Sequence, residues 1–163
     1  MDLNRFFITF FGTGLAPKAP GTVGSFAALL VGLLILKFVP METLFMLTLV
    51  ITVVGIFEIN KYEAKTGSHD DKSIVIDEVS GMWIALMFAL STAKTLSYPY
   101  AYEIAVVSSF ATFRLFDIWK PSTIGKIDKN VKGGLGVMGD DILAGVAGGL
   151  LSILILLGLA KVL

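Results

Sequence analysis

Cysteine is absent from this 163-residue chain, and histidine occurs once, as His69. Without cysteine there is no disulfide framework, no thiolate ligand for zinc, haem or iron–sulfur, and no thiol nucleophile. A single imidazole excludes any mechanism that needs two from one chain. Charge is also scarce: Asp, Glu, Lys and Arg make up 16% of the residues, against roughly 25% in an ordinary soluble domain. The 13 basic and 13 acidic residues cancel, so no overall basic field exists to hold nucleic acid.

What the chain has in quantity is apolar length. Hydrophobic residues make up 55% of it and the mean hydropathy is +0.83. That composition excludes intrinsic disorder and argues against a water-soluble fold. The length fits one domain over residues 1–163. Five apolar runs stand out: Val23–Val39, Met41–Phe57, Gly81–Ala93, Ala101–Phe113 and Ile142–Ala160. A spanning helix needs about 20 mostly apolar residues, so the first, second and fifth qualify by length. The third and fourth span only by carrying polar ends into the membrane. Phe6–Phe11 is too short for the core of a signal peptide and reads as an interfacial segment. Strand signals are weak, since Ser73–Ile76 runs straight into a helical pattern. The expected fold is all-α: a polytopic membrane helical bundle of about four to five spanning helices with a short N-terminal interfacial segment.

Charge placement predicts its orientation. With five spans, residues 1–22, 58–78 and 114–141 share one side. That side carries Arg5, Lys18, Lys61, Lys65, Lys72, Arg114, Lys120, Lys126, Lys129 and Lys132, whereas only Lys37, Lys94 and Lys161 lie opposite. The excess predicts a cytoplasmic location for the charged side. Of the acids, only Glu42 and Glu103 lie on the other side.

Four polar constellations fall on that charged side. The first is Gly12-Thr-Gly-Leu-Ala-Pro-Lys-Ala-Pro-Gly-Thr-Val-Gly-Ser25. Its prolines and glycines predict a non-helical segment. Backbone N–H groups with Lys18, Thr22 and Ser25 can cradle a phosphate at the start of a helix; equally, the segment can be an interfacial turn capped by Ser25. It is no Walker A loop. The second, Ser68–Trp83, places Asp77 and Glu78 at the entrance to an apolar helix. Charges there are costly unless paired, solvated or bound to metal, although an acidic pair also suits a helix N-terminus. The third is Phe113-Arg114-Leu-Phe-Asp117-Ile-Trp-Lys120-Pro121. Arg114, Asp117 and Lys120, three residues apart, share an arc of about 120° on one helix face, and Pro121 ends the helix. They make either a salt-bridge ladder or a carboxylate for metal flanked by cations for phosphate oxygens. The fourth, Gly133–Gly145, reads as a glycine-rich loop that delivers Asp140 and Asp141 to the last span. Gly145 and Gly149 then form a small-residue pair for close helix packing. Oxygen ligands without cysteine select a hard ion, Mg²⁺ or Mn²⁺.

Carboxylates for a hard metal, cations for an anion and a glycine-rich cradle describe phosphate chemistry, and the membrane setting points to a lipid phosphate. Thiol phosphatases and two-histidine lipid phosphatases are excluded by composition. The Asp-x-Asp of haloacid-dehalogenase-type enzymes and the Asp-Gly-x-x-Ala-Arg of CDP-alcohol phosphotransferases are missing.

In order, the four constellations resemble the phosphatidylglycerophosphatase A family of bacterial lipid phosphatases. The matching strings are Gly14-Leu-x-Pro17-x-x-Pro20-Gly-Thr-x-Gly-Ser25, His69-Asp-x-x-Ser-Ile-Val-x-Asp77-Glu-x-x-Gly-Met-Trp-Ile84, Phe113-Arg-x-x-Asp117-x-Trp-Lys-Pro121 and Gly133-Gly-x-Gly-x-Met-x-Asp140-Asp-x-x-Ala-Gly145. The chain departs from the family's usual pattern at Ser122-Thr123 and at Gly139. The resemblance implies Mg²⁺-dependent hydrolysis of phosphatidylglycerophosphate to phosphatidylglycerol and inorganic phosphate at the cytoplasmic face of the bacterial inner membrane. On this reading Asp77, Glu78, Asp117, Asp140 and Asp141 are the metal ligands. Lys18, Thr22, Arg114 and Lys120 bind the substrate phosphate. His69 or Asp70 serves as general acid or base, with Asp77 and Asp141 in the catalytic set. Water and an aspartate both remain open as nucleophile. The bilayer and its lipid substrate are the expected partners, and nucleic acid is not. The alternatives are a lipid phosphotransferase, a small ion- or substrate-binding membrane protein, and a structural membrane subunit.

Overall fold

The computed structural model describes residues 2–68 and 71–162. The described residues form seven helices, a single 3-10 turn and no strand: α1 (Leu3–Ile8), the 3-10 turn (Thr13–Leu15), α2 (Pro20–Leu36), α3 (Met41–Thr66), α4 (Ile76–Ala93), α5 (Ala101–Trp119), α6 (Thr123–Asn130) and α7 (Gly133–Leu159). The all-helical bundle matches the expectation. Three helices, α3, α4 and α7, are long and apolar enough to cross a membrane; α2 is a shorter apolar helix. Large apolar side chains point outward from the bundle, among them Leu34, Phe45, Val50, Phe57 and Leu154. In a water-soluble protein such a surface would aggregate; in a helical membrane protein it faces lipid.

The centre of the bundle is α4, which packs on α2, α3, α5 and α7. Its sequence explains why. Gly81, Ala85, Ala89 and Ala93 recur every fourth residue and are all buried, so they line one face of small side chains. Against that face α7 lies at backbone contact. A Cβ added to Gly145 would stand 2.9 Å from Gly81 Cα, and toward α5 one on Gly148 would meet the Phe113 backbone nitrogen at 2.7 Å. Small residues permit this approach, and dispersion and interhelical hydrogen bonds then hold it. Thr112 Oγ1 donates to the Gly148 carbonyl at 2.8 Å, and Trp83 Nε1–H donates to the Ala28 carbonyl at 2.7 Å, which ties α2 to α4.

Two expectations are corrected. The proline–glycine segment is not free of helix: α2 starts at Pro20, and Ser25 lies inside it, not at its cap. Proline is accommodated in the first turn because its missing N–H would have no intrahelical acceptor there. The glycine-rich stretch at 133–139 is likewise no loop but the first two turns of α7. Its glycines are packing contacts. A Cβ on Gly134 would stand 2.7 Å from Ile56 Cα, and the Gly134 N–H is capped by Asn60 Oδ1 at 2.7 Å. The Ser73–Ile76 segment enters α4 without forming a strand, as expected. At the N-terminus, α1 and the following turn bury Ile8 and Phe10 while Phe6 and Phe11 stay exposed.

This topology puts the beginnings of α2, α4 and α7 and the ends of α3 and α5 at one end of the bundle. The opposite end holds the short connections around Pro40 and Ser97, with Lys37, Lys94 and Tyr102 lining one pocket.

Candidate active site

Five acids of the polar end and Arg114 come from three helices. The first turn of α4 supplies Asp77 and Glu78, α5 supplies Arg114 and Asp117 near its end, and α7 supplies Asp140 and Asp141 two turns in. Glu78, Asp117 and Asp141 each bring a carboxylate oxygen within 4.8 Å of the others. All three are largely buried. Three like charges this close and this desolvated repel strongly without cations.

One compensating cation is Arg114. Its Nη1 donates to Glu78 Oε2 at 2.6 Å, to Asp117 Oδ2, and to Ser25 Oγ at 3.1 Å, while Nη2 donates to Thr22 Oγ1 at 3.3 Å. The Ser25 hydroxyl, itself 2.7 Å from the Gly21 carbonyl, also donates to Glu78 Oε2. A Cβ on Gly21 would press into the Glu78 carboxylate. The start of α2 is therefore cut away where the carboxylate must fit.

The other cation is Lys120. Pro121 stops α5, and Lys120 takes a left-handed conformation with φ of 46°, which turns the chain toward α6. Its Nζ then reaches Asp128 at 2.5 Å and Asp140 at 2.6 Å. Burial disfavours the ammonium charge, but the hydrogen bonds to Asp128 and Asp140 outweigh it and raise the Lys120 pKa above its ordinary value. Lys120 is thus a fixed positive charge at working pH.

Asp77 Oδ1, Asp140 Oδ1 and Asp141 Oδ2 are buried and have no hydrogen-bond partner among the described residues. Buried carboxylate oxygens are seldom left unpaired, and here three of them face the same end of the bundle. All-oxygen donors, carboxylate charge and unpaired lone pairs are what a hard divalent cation takes. The residues fit such an ion.

A pocket of about 210 Å³ opens onto these groups, lined by Gly21, Asp71, Lys72, Asp77, Glu78, Asp117, Lys120 and Asp141 among others. Its outer wall is a pinned turn. The Asp71 carboxylate accepts the Ser73 N–H at 2.9 Å and the Tyr62 O–H at 2.7 Å. Led by the Ser73 bond, these contacts hold the Asp71 carboxyl below its ordinary range.

Comparison with known proteins places the chain in a family. The phosphatidylglycerophosphatase A family model matches residues 6–156. The chain belongs to the phosphatidylglycerophosphatase A family. It is 39% identical to phosphatidylglycerophosphatase A of Escherichia coli strain K12 over 136 residues, covering 83% of this chain and 73% of the relative. It is 35% identical to phosphatidylglycerophosphatase A of Haemophilus influenzae, covering 83% and 78%. A Bacteroides thetaiotaomicron relative with the provisional name phosphatidylinositol-3-phosphatase is 38% identical, covering 85% and 84%. No solved structure matches the chain.

Within this family member, the structure gathers most of the residues that the sequence singled out. Glu78, Asp117 and Asp141 converge, Asp77 lines the same pocket, and Asp140 lies beside it on Lys120. Arg114 and Lys120 do not form one ladder with Asp117. Arg114 pairs with Asp117, whereas Lys120 turns away to Asp128 and Asp140. Thr22 touches Arg114, and Lys18 is exposed and outside the pocket lining. His69 and Asp70 lie outside the described residues. Sequence reasoning passed over Asp128, Asp71 and Lys72. Asp128 carried one usable signal, an acid on the short amphipathic segment after Pro121. Asp71 and Lys72 adjoin the His69-Asp70 pair and had no spacing of their own to mark them.

Proposed function

We propose that this protein is a lipid phosphatase that hydrolyses phosphatidylglycerophosphate to phosphatidylglycerol and inorganic phosphate, with Mg²⁺ and at the cytoplasmic face of the bacterial inner membrane. The observation that carries the reading is the set of buried, unpaired carboxylate oxygens on Asp77, Asp140 and Asp141 beside the Glu78–Asp117–Asp141 cluster. The names of the Escherichia coli and Haemophilus influenzae relatives supply the substrate.

Asp77, Glu78, Asp117, Asp140 and Asp141 would hold the divalent cation. Bound there, it supplies Lewis-acid polarisation of the phosphoryl oxygens and charge neutralisation. The protein's own groups do the rest. Arg114 keeps Glu78 and Asp117 together despite their repulsion, and Ser25 fixes Glu78 from α2. Lys120 orients Asp140 and presents its positive charge to the pocket, where the terminal phosphate of the substrate enters. Lys18 and Thr22 stand on the α2 side as further candidates for the phosphate oxygens, and His69 or Asp70 supplies the proton for the departing glycerol oxygen. The P–O ester bond breaks, water provides the new P–O bond, and the alcohol leaves as phosphatidylglycerol. The lysine excess on the side that carries the site supports its location at the cytoplasmic headgroups.

Phosphate release by the purified protein in detergent, with Mg²⁺ and with EDTA, tests the reading. Release that vanishes with EDTA and returns with Mg²⁺ is expected. Release that survives EDTA overturns the metal assignment. Preferential hydrolysis of phosphatidylinositol 3-phosphate moves the substrate toward that of the Bacteroides relative. Because the chain has no cysteine, single-cysteine labelling gives a clean orientation test. Ser122→Cys should label only from the cytoplasmic side and Tyr100→Cys only from the other.

A further inference from the structure

Of the ten cations on the charged side, four are committed to acids among the described residues, and of the others Lys72 alone lines the pocket. Arg114 is held by Glu78 and Asp117, Lys120 by Asp128 and Asp140, Lys65 by Asp2 and Lys61 by Glu58. Lys72 is different. It is exposed, lines the pocket with Asp77, Glu78 and Lys120, and has no ion pair or hydrogen bond among the described residues.

Its backbone is nevertheless fixed. On one side, Asp71 is tied to Tyr62 of α3 and to the Ser73 N–H, and the Asp71 carbonyl accepts the Ile74 N–H at 2.8 Å. On the other, the Val75 N–H donates to the Ile8 carbonyl at 3.0 Å, and Gly14 packs against the Ser73 carbonyl. The ammonium therefore has only side-chain freedom to lose on binding an anion. The adjacent Asp71 carboxylate is already occupied by its two donors.

Depth separates this lysine from the reacting centre. Glu78, Asp117 and Asp141 form a buried floor, and Lys72 stands at the exposed rim. A phosphomonoester that reaches the floor leaves the remainder of the headgroup at the rim. We propose that Lys72 is a specificity-determining residue that binds a second anionic group of the substrate, the phosphodiester of the lipid headgroup, while the phosphomonoester reacts at the carboxylate floor. This inference rests on the lipid-phosphatase reading above. A charge-assisted contact of this kind is worth roughly tenfold in binding.

The test compares kcat and KM in mixed micelles for phosphatidylglycerophosphate, which carries both groups, and phosphatidic acid, which carries only the monoester. Lys72→Gln should lower kcat/KM for the first roughly tenfold, mainly through KM, and change the second less than about twofold. Lys72→Arg should restore most of the loss, and Tyr62→Phe should give a smaller loss of the same selectivity by loosening the turn. Lys126→Gln, an exposed lysine away from the pocket, should change neither substrate. If phosphatidic acid turns over too slowly, its inhibition constant replaces kcat/KM. Equal losses on both substrates would assign Lys72 to the reacting phosphate or to folding and overturn the proposal. Unchanged selectivity would overturn it too, as would an equal effect of Lys126→Gln, which would indicate general attraction to the micelle. Wild-type protein that hydrolyses neither lipid would sink the underlying lipid-phosphatase reading instead.

Discussion

The two ends of the bundle carry pockets of similar size and opposite character. One, of about 180 Å³, lies between the end of α2 and the start of α5 and is lined by apolar side chains with Lys37 and Lys94. The other, of about 210 Å³, opens onto Asp77, Glu78, Asp117 and Asp141. Volume does not tell them apart. Unsatisfied buried charge does: the orphaned carboxylate oxygens of Asp77, Asp140 and Asp141 all lie at the second end. A void between helix ends is a common packing outcome, whereas buried acids without partners cost several kcal/mol and persist only where something compensates them. Site and scaffold thus differ by what is left unpaired.

The sharpest way to break this contrast is one substitution at each end. Asp141→Asn removes a buried charge from the carboxylate floor with little change of shape. It should lower phosphate release roughly 10²–10³-fold, the usual cost of losing one electrostatic contact to a reacting group. Lys94→Gln, at the other pocket, should stay within about twofold of wild type. Isothermal titration with Mn²⁺ on both variants separates the two causes: Asp141→Asn should bind the ion more weakly and Lys94→Gln should not. An Asp141→Asn variant that is folded, active and unchanged in Mn²⁺ binding would remove Asp141 from the metal site.

The next effect concerns stability and runs along α7. Gly145→Ala would put a methyl group into the backbone of Gly81. Neither helix can yield without separating α4 from α7, so a loss of about 1–3 kcal/mol is expected from overpacking. At Gly158, near the far end of the same helix, nothing lies within 4 Å of an added Cβ. Gly158→Ala should be neutral or stabilising by up to about 1 kcal/mol, since alanine favours helix over glycine. Thermal unfolding in detergent reads both. Equal shifts would mean that the backbone contact at Gly81 is not what holds the two helices together.

These same glycines mark where the sequence was legible and where it was not. Long apolar runs are read from composition, and the positions of α3, α4, α5 and much of α7 followed from them. The acids at 77, 78, 117, 140 and 141 were legible because charge next to an apolar run has few cheap explanations. The starts of α2 and α7 were misread because Gly and Pro carry strong local signals against helix. Tertiary contact overrode those signals: Gly134 lies on the backbone of Ile56, and Gly21 clears the Glu78 carboxylate. In a membrane bundle a glycine is as often a close-packing surface as a break. Asp128 was missed for a different reason. Its partner Lys120 sits eight residues earlier, across the left-handed turn at Pro121, and no helical periodicity relates the two.

The smallest expected effect tests the wall of the pocket rather than its floor. Asp71 accepts the Ser73 N–H and the Tyr62 O–H, and its pKa lies below the ordinary 3.8. A carboxylate whose folded pKa is depressed contributes stability that is fully present above its unfolded value and is lost as pH falls through the folded one. Asp71→Asn weakens the acceptor and removes this linkage, so it should lower the melting temperature at pH 7 slightly. One partly exposed hydrogen bond is worth about 0.5–1.5 kcal/mol, and solvent places this one at the lower end. The difference between wild type and variant should shrink as pH falls below 3.8, because protonation then costs wild type the contact that the variant lacks. A gap that stays constant down to pH 3 would mean that Asp71 acts by shape rather than charge, and that the rim of the pocket is held by Tyr62 packing instead.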